Sequence, residues 1–113
     1  MFINPKTAIE EGWVTGIVNP EVQIQPNAID FTLDTLFSIN RSLFVIGEDG
    51  KKMRGGDKVE ASPAWNGTEM RDYWRLHANS VYDGMSDVYV TLPEGVAAML
   101  IIRSTLNRNG LFL

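Results

Sequence analysis

Gln25-Pro26-Asn27-Ala28-Ile29-Asp30-Phe31-Thr32-Leu33-Asp34 is the stretch that decides the fold class. From Ile29 onward apolar and polar residues alternate strictly, the period of a half-buried strand, so Ile29, Phe31 and Leu33 are expected to face inward and Asp30, Thr32 and Asp34 outward. Pro26 has no amide proton to give a ladder and marks a strand end or an edge. Just upstream, Val22-Gln23-Ile24 shows the same alternation and predicts another short strand, with Asn19-Pro20 as a turn before it. Downstream, residues 36–39, 43–46, 73–77 and 88–92 continue the β pattern, while the polar, glycine-rich residues 47–72 predict a hairpin with long loops. The almost wholly apolar residues 96–102 predict a central strand covered on both faces. Helical signals are brief. Asn4 can cap a helix with Pro5 at its first position and Gly12 as its stop, and a second turn follows Arg103 and ends at Gly110. Many short strands with frequent turns predict an all-β sandwich or barrel-like fold, in a single domain over residues 1–113.

Composition bounds the chemistry. The 113 residues include no cysteine and one histidine. Disulfides, cysteine-ligated zinc and thiol catalysis are excluded, and a multi-histidine metal site is impossible. A net charge of −4 argues against broad electrostatic capture of nucleic acid or of an anionic membrane. No apolar run has the length needed to cross a bilayer, and the N-terminus lacks a signal-peptide pattern. The expected setting is therefore cytoplasmic. Asn40-Arg41-Ser42 and Asn66-Gly67-Thr68 match the glycosylation pattern, and without a secretion signal both read as chance.

An acidic chain can still hold a polyanion where its cations are focused, and Arg103-Ser104-Thr105-Leu106-Asn107-Arg108-Asn109-Gly110 is such a focus. Two guanidinium groups and two hydroxyls on one short turn suit phosphate oxygens. The same residues also have a ligand-free reading, in which Ser104 caps the turn and Gly110 stops it, and Arg108 can equally pair with an acid of a neighbouring subunit. His77 reads as a structural imidazole, Trp13, Trp65 and Trp74 as packing aromatics, and Asp83-Gly84-Met85-Ser86-Asp87 as a plain turn, because it lacks the ligand spacing of a calcium loop.

Three segments carry a resemblance to a known family. Gln25-Pro26-Asn27-Ala28-Ile29-Asp30-Phe31-Thr32-Leu33 is similar to a segment near the start of dCTP deaminases. Leu92-Pro93-Glu94-Gly95-Val96-Ala97 resembles a turn of the same proteins. Arg103-Ser104-Thr105-Leu106-Asn107-Arg108-Asn109-Gly110-Leu111 resembles the Arg-Ser-Ser phosphate motif that dCTP deaminases share with trimeric dUTPases. The opening Ala8-Ile9-Glu10-Glu11-Gly12 is similar to the deaminase N-terminal helix, and order and spacing agree over nearly the whole chain.

The resemblance implies a distorted jelly roll of dUTPase-like type, assembled as a homotrimer with sites between subunits. The ligand it implies is a pyrimidine deoxynucleoside triphosphate, with magnesium on the phosphates. Arg103, Ser104 and Thr105 would contact phosphate, and Ser104 and Arg108 match the residues that also order the catalytic water. Thr105 stands where the family has Ser, which keeps the hydroxyl and adds a methyl. In the family a hairpin with the catalytic acid follows this motif, and no residue through Leu113 matches that acid. Asp30 reads as a turn or strand-end residue. The expectation is thus a triphosphate-binding domain of a dCTP deaminase-like protein, inactive as these residues alone. The alternatives are a structural or interaction protein on the same scaffold, such as a phage virion assembly or decoration module, and a nucleotide sensor that binds without chemistry.

Overall fold

A polar cap begins the chain's first ordered element. Asn4, in extended backbone, accepts a hydrogen bond from the Lys6 amide at 2.9 Å, and Pro5 opens helix α1, Pro5–Glu10. Gly12 then adopts a left-handed φ of +73°, and the chain turns into strand β1, Val14–Thr15. The local signals at Asn4, Pro5 and Gly12 therefore act as the sequence predicts. The coordinates are those of a computed structural model, which describes residues 1–41 and 43–113. Ser42, the last residue of the Asn40-Arg41-Ser42 match, lies outside the described residues.

The next segment departs from the expected strand. Pro20 starts a single helical turn, α2, Pro20–Gln23, with Glu21 in its first turn. Proline fixes the φ that a first helical position needs, and this local preference overrides an alternation resting on only Val22 and Ile24. Ile24 then bridges Ile29 across the Pro26 turn. Strand β2 runs Leu33–Ile39, so it begins where residues 29–34 were expected to be fully laddered. Phe31 and Leu33 are exposed rather than inward, and Leu36 is the residue of β2 that is buried.

Two hairpins follow β2. Strands β3, Val45–Gly47, and β4, Gly50–Lys52, form the first, and β6, Ser62–Trp65, with β7, Met70–Tyr73, the second. Between them β5, Gly56–Lys58, returns to pair with the end of β2. The polar stretch 47–72 therefore holds several short strands rather than one long-looped hairpin, and residues 74–77 are not strand. Strand β8, Tyr82–Ser86, pairs with the other edge of β2, giving the three-stranded order β5-β2-β8. Strand β9, Tyr89–Val90, pairs antiparallel with β1, Val14 opposite Val90. A final helical turn, α3, spans Ser104–Arg108.

Mainly β with brief helices at both ends, and built of small antiparallel sheets, the architecture agrees with the dUTPase-like fold that the sequence implies. The core is thin. Among the described residues Val14, Leu36 and Val88 are its buried hydrophobic side chains, joined by Pro5 and the polar Gln23. Residues 96–102 correct the central-strand expectation: they form no strand, and Met99, Leu100 and Ile101 are 86%, 66% and 71% exposed. An apolar run becomes a central strand only if neighbours supply ladders on both edges and cover on both faces, and the single chain supplies neither.

The dimensions repeat this point. The chain has a radius of gyration of 17.5 Å, against about 13 Å for a compact domain of this length. Its accessible surface is 9722 Å², against about 6,200 Å² for a folded monomer of this mass.

Candidate functional site at the Arg103 corner

Arg103 is the hinge between the apolar run and α3. Its backbone is extended, with φ −67° and ψ 143°, and its carbonyl accepts from the amides of Leu106 at 3.0 Å and Asn107 at 3.1 Å. Arg103, not Ser104, is therefore the N-cap residue, and no side chain caps the turn. The capping role open to Ser104 is corrected on this point: Ser104 is the first helical residue. The α3 amides that a cap would satisfy are left open. At the other end Asn109 Nδ2 donates to the Thr105 carbonyl at 2.8 Å, and Gly110 takes a left-handed φ of +82° to close the turn.

Arg103, Ser104 and Thr105 are consecutive and exposed. Arg108 lies in the last turn of α3, one helical repeat after Ser104, so Ser104 and Arg108 share a face of the turn. The geometry gives two cations and two hydroxyls on one exposed corner. His77 is exposed and remote in sequence from this corner; its amide donates to the Tyr82 hydroxyl at 2.8 Å. Asp83 pairs in register with Phe37, so residues 83–86 are ladder in β8 rather than an isolated turn, and Asp87, just past the strand, accepts a hydrogen bond from the Thr32 hydroxyl.

Sequence reasoning missed one charged partner. Asp30 Oδ2 lies 3.3 Å from Arg103 Nη1, with the Arg103 side chain 67% and the Asp30 side chain 21% exposed. This contact joins two of the segments that carry the family resemblance, residues 25–33 and 103–111. Asp30 is held there by its backbone: its amide donates to the Gln23 carbonyl at 2.8 Å, and its carbonyl accepts from Gln23 Nε2 at 3.1 Å. The other end of the Gln23 side chain, Oε1, accepts from the amides of Val18 at 2.9 Å and Asn19 at 2.8 Å. A buried glutamine thus clamps the approach to α2 against the Asp30 segment. The only advance signal of the pair was opposite charge in two family-like segments, and sequence spacing does not bring those together.

Two depressions on the surface are lined by residues outside this corner. One depression of about 410 Å³ is lined by Ile39, Phe44, Met53, Arg54, Val81 and Asp83. Another of about 400 Å³ is lined by Pro63, Met70, Arg71 and Asp72. The Arg103 corner is exposed to solvent and chemically suited to anions. Among the described residues no group of three or more His, Cys, Asp or Glu side chains converges as a cation site, and no helix is long and apolar enough to cross a membrane.

No curated protein and no solved structure matches the chain. A family model described as dCTP deaminase-like matches residues 6–113. That span takes in α1 from Lys6 onward, the Gln23–Asp30 clamp and the whole of the Arg103 corner, and on it we place the chain in the dCTP deaminase-like family.

Proposed function

We propose that the chain binds a pyrimidine deoxynucleoside triphosphate through the Arg103 corner. The observation that carries this reading is the exposed Arg103-Ser104-Thr105 turn with Arg108 on the face of Ser104, in a member of a nucleotide-processing family. Guanidinium groups form charge-assisted hydrogen bonds to phosphate oxygens, and the Ser104 and Thr105 hydroxyls add neutral donors. Magnesium enters as part of the incoming ligand, on its phosphate oxygens.

The proposal is for binding. Deamination needs a base within hydrogen-bond reach of the attacking water. The carboxylate that the fold brings to this corner is Asp30, and it faces Arg103. We therefore assign residues 1–113 no turnover of their own. Isothermal titration with dCTP and with dUTP, each with magnesium, tests the reading: wild-type chain is expected to bind one of them, and Arg103→Ala to abolish the binding. Absence of heat with both nucleotides would end it.

The exposed apolar surface favours a homo-oligomer, a trimer by family resemblance, in which a neighbouring copy completes the site around the corner. Residues 99–101 are the apolar surface for that contact. The same surface supports the second reading, a non-catalytic structural or interaction protein on this scaffold, such as a virion component. That reading expects oligomers and no nucleotide binding, so the same titration, run beside analytical ultracentrifugation, separates the two.

A further inference from the structure

We infer that Asp30 is an internal competitor for the phosphate-binding cation, so that the corner is self-neutralised until a polyanion displaces the carboxylate. The inference rests on the phosphate reading of Arg103 given above and adds a control to it.

Asp30 Oδ2 is inaccessible to solvent and makes no hydrogen bond among the described residues, and the charge that faces it is the Arg103 guanidinium at 3.3 Å. Its carboxylate cannot retreat easily, because the backbone on both sides of the side chain is pinned by Gln23. Arg103, by contrast, is mostly exposed and its side chain has room to move. An incoming phosphate therefore meets a guanidinium already committed on one edge. If Arg103 swings to the ligand, the Asp30 carboxylate, whose side chain is 21% exposed, loses its counter-charge, a costly change for a largely buried group. If Arg103 stays, the polyanion sits beside a fixed negative charge. Both routes subtract from anion affinity, and both penalties vanish when residue 30 is neutral. The device sets a threshold: weak anions leave the pair closed, and a ligand that also engages Ser104, Thr105 and Arg108 opens it.

The test is isothermal titration of the full chain with inorganic tripolyphosphate in metal-free buffer. Asp30→Asn is expected to bind about two- to fivefold more tightly than wild type, the range for losing a partly exposed pair. Arg103→Ala is expected to lose binding with either residue at position 30. If Asp30→Asn binds equally or more weakly while Arg103→Ala still abolishes binding, Asp30 orients Arg103 rather than competing for it, and the inference fails while the phosphate reading stands. If wild type and Asp30→Asn both fail to bind tripolyphosphate, or Arg103→Ala binds as wild type does, both fall. Should Asp30→Asn not fold, wild-type chain labelled with ¹³C-aspartate answers the same question. The Asp30 carboxylate resonance is expected to shift as tripolyphosphate binds, and an unmoved resonance at saturation overturns the inference.

Discussion

Gln23 shows how one polar side chain can hold a thin-cored molecule in shape. Its amide oxygen takes two backbone donors and its amide nitrogen a backbone acceptor, so three main-chain groups depend on one buried residue. Gln23→Ala removes all three at once and is expected to cost about 2–4 kcal/mol, since buried groups left unpaired lose their full desolvation. Urea denaturation measures this, and a loss under about 1 kcal/mol would mean that water replaces the clamp. Because Gln23 also pins Asp30, the same change is expected to loosen the Asp30–Arg103 pair. None of this was legible beforehand: Gln23 sits in an apparent alternation that reads as strand, and its partners are backbone groups with no sequence signature. Asn4 was legible because a cap is local, its whole meaning lying within the next two residues. Asn4→Ala is expected to cost about 1 kcal/mol, the usual loss for an N-cap.

Elements follow the same division between local and distant causes. The turn at Gly12 and the turn at Gly16 both need a left-handed φ, +73° and +85°. A Cβ at Gly12 would meet nothing within 4 Å, whereas one at Gly16 would fall 2.0 Å from the Asp87 carbonyl oxygen. Gly12→Ala is therefore expected to cost about 1–2 kcal/mol of backbone strain alone. Gly16→Ala is expected to break the β1–β9 pairing as well, read by hydrogen exchange as lost protection of the Thr91 amide, which donates to the Trp13 carbonyl at 2.8 Å. Equal protection in the two variants would refute this account. The Arg103 turn was readable for the reason Gly12 was: a short helix ending in a glycine declares itself locally. The run at residues 96–102 was not, because its strand reading assumed neighbours that the single chain does not have.

At the scale of the whole molecule, a surface roughly half as large again as a compact monomer's should make stability depend on association. The thermal midpoint of the full chain is expected to rise with protein concentration. Ile101→Glu is expected to abolish that rise while leaving α1 and its cap intact; a concentration-independent midpoint in the wild type would argue that the chain is stable as it stands. The ladder between Val14 and Val90 has a further consequence. Strand β1 cannot pair until β9 has left the ribosome, so this early segment waits, unpaired, while everything between the two is made. Long-range closure of this kind makes maturation slow and leaves nascent chains vulnerable to clumping, and expression at lower temperature or with chaperones should raise the yield of intact protein more than any change at the Arg103 corner.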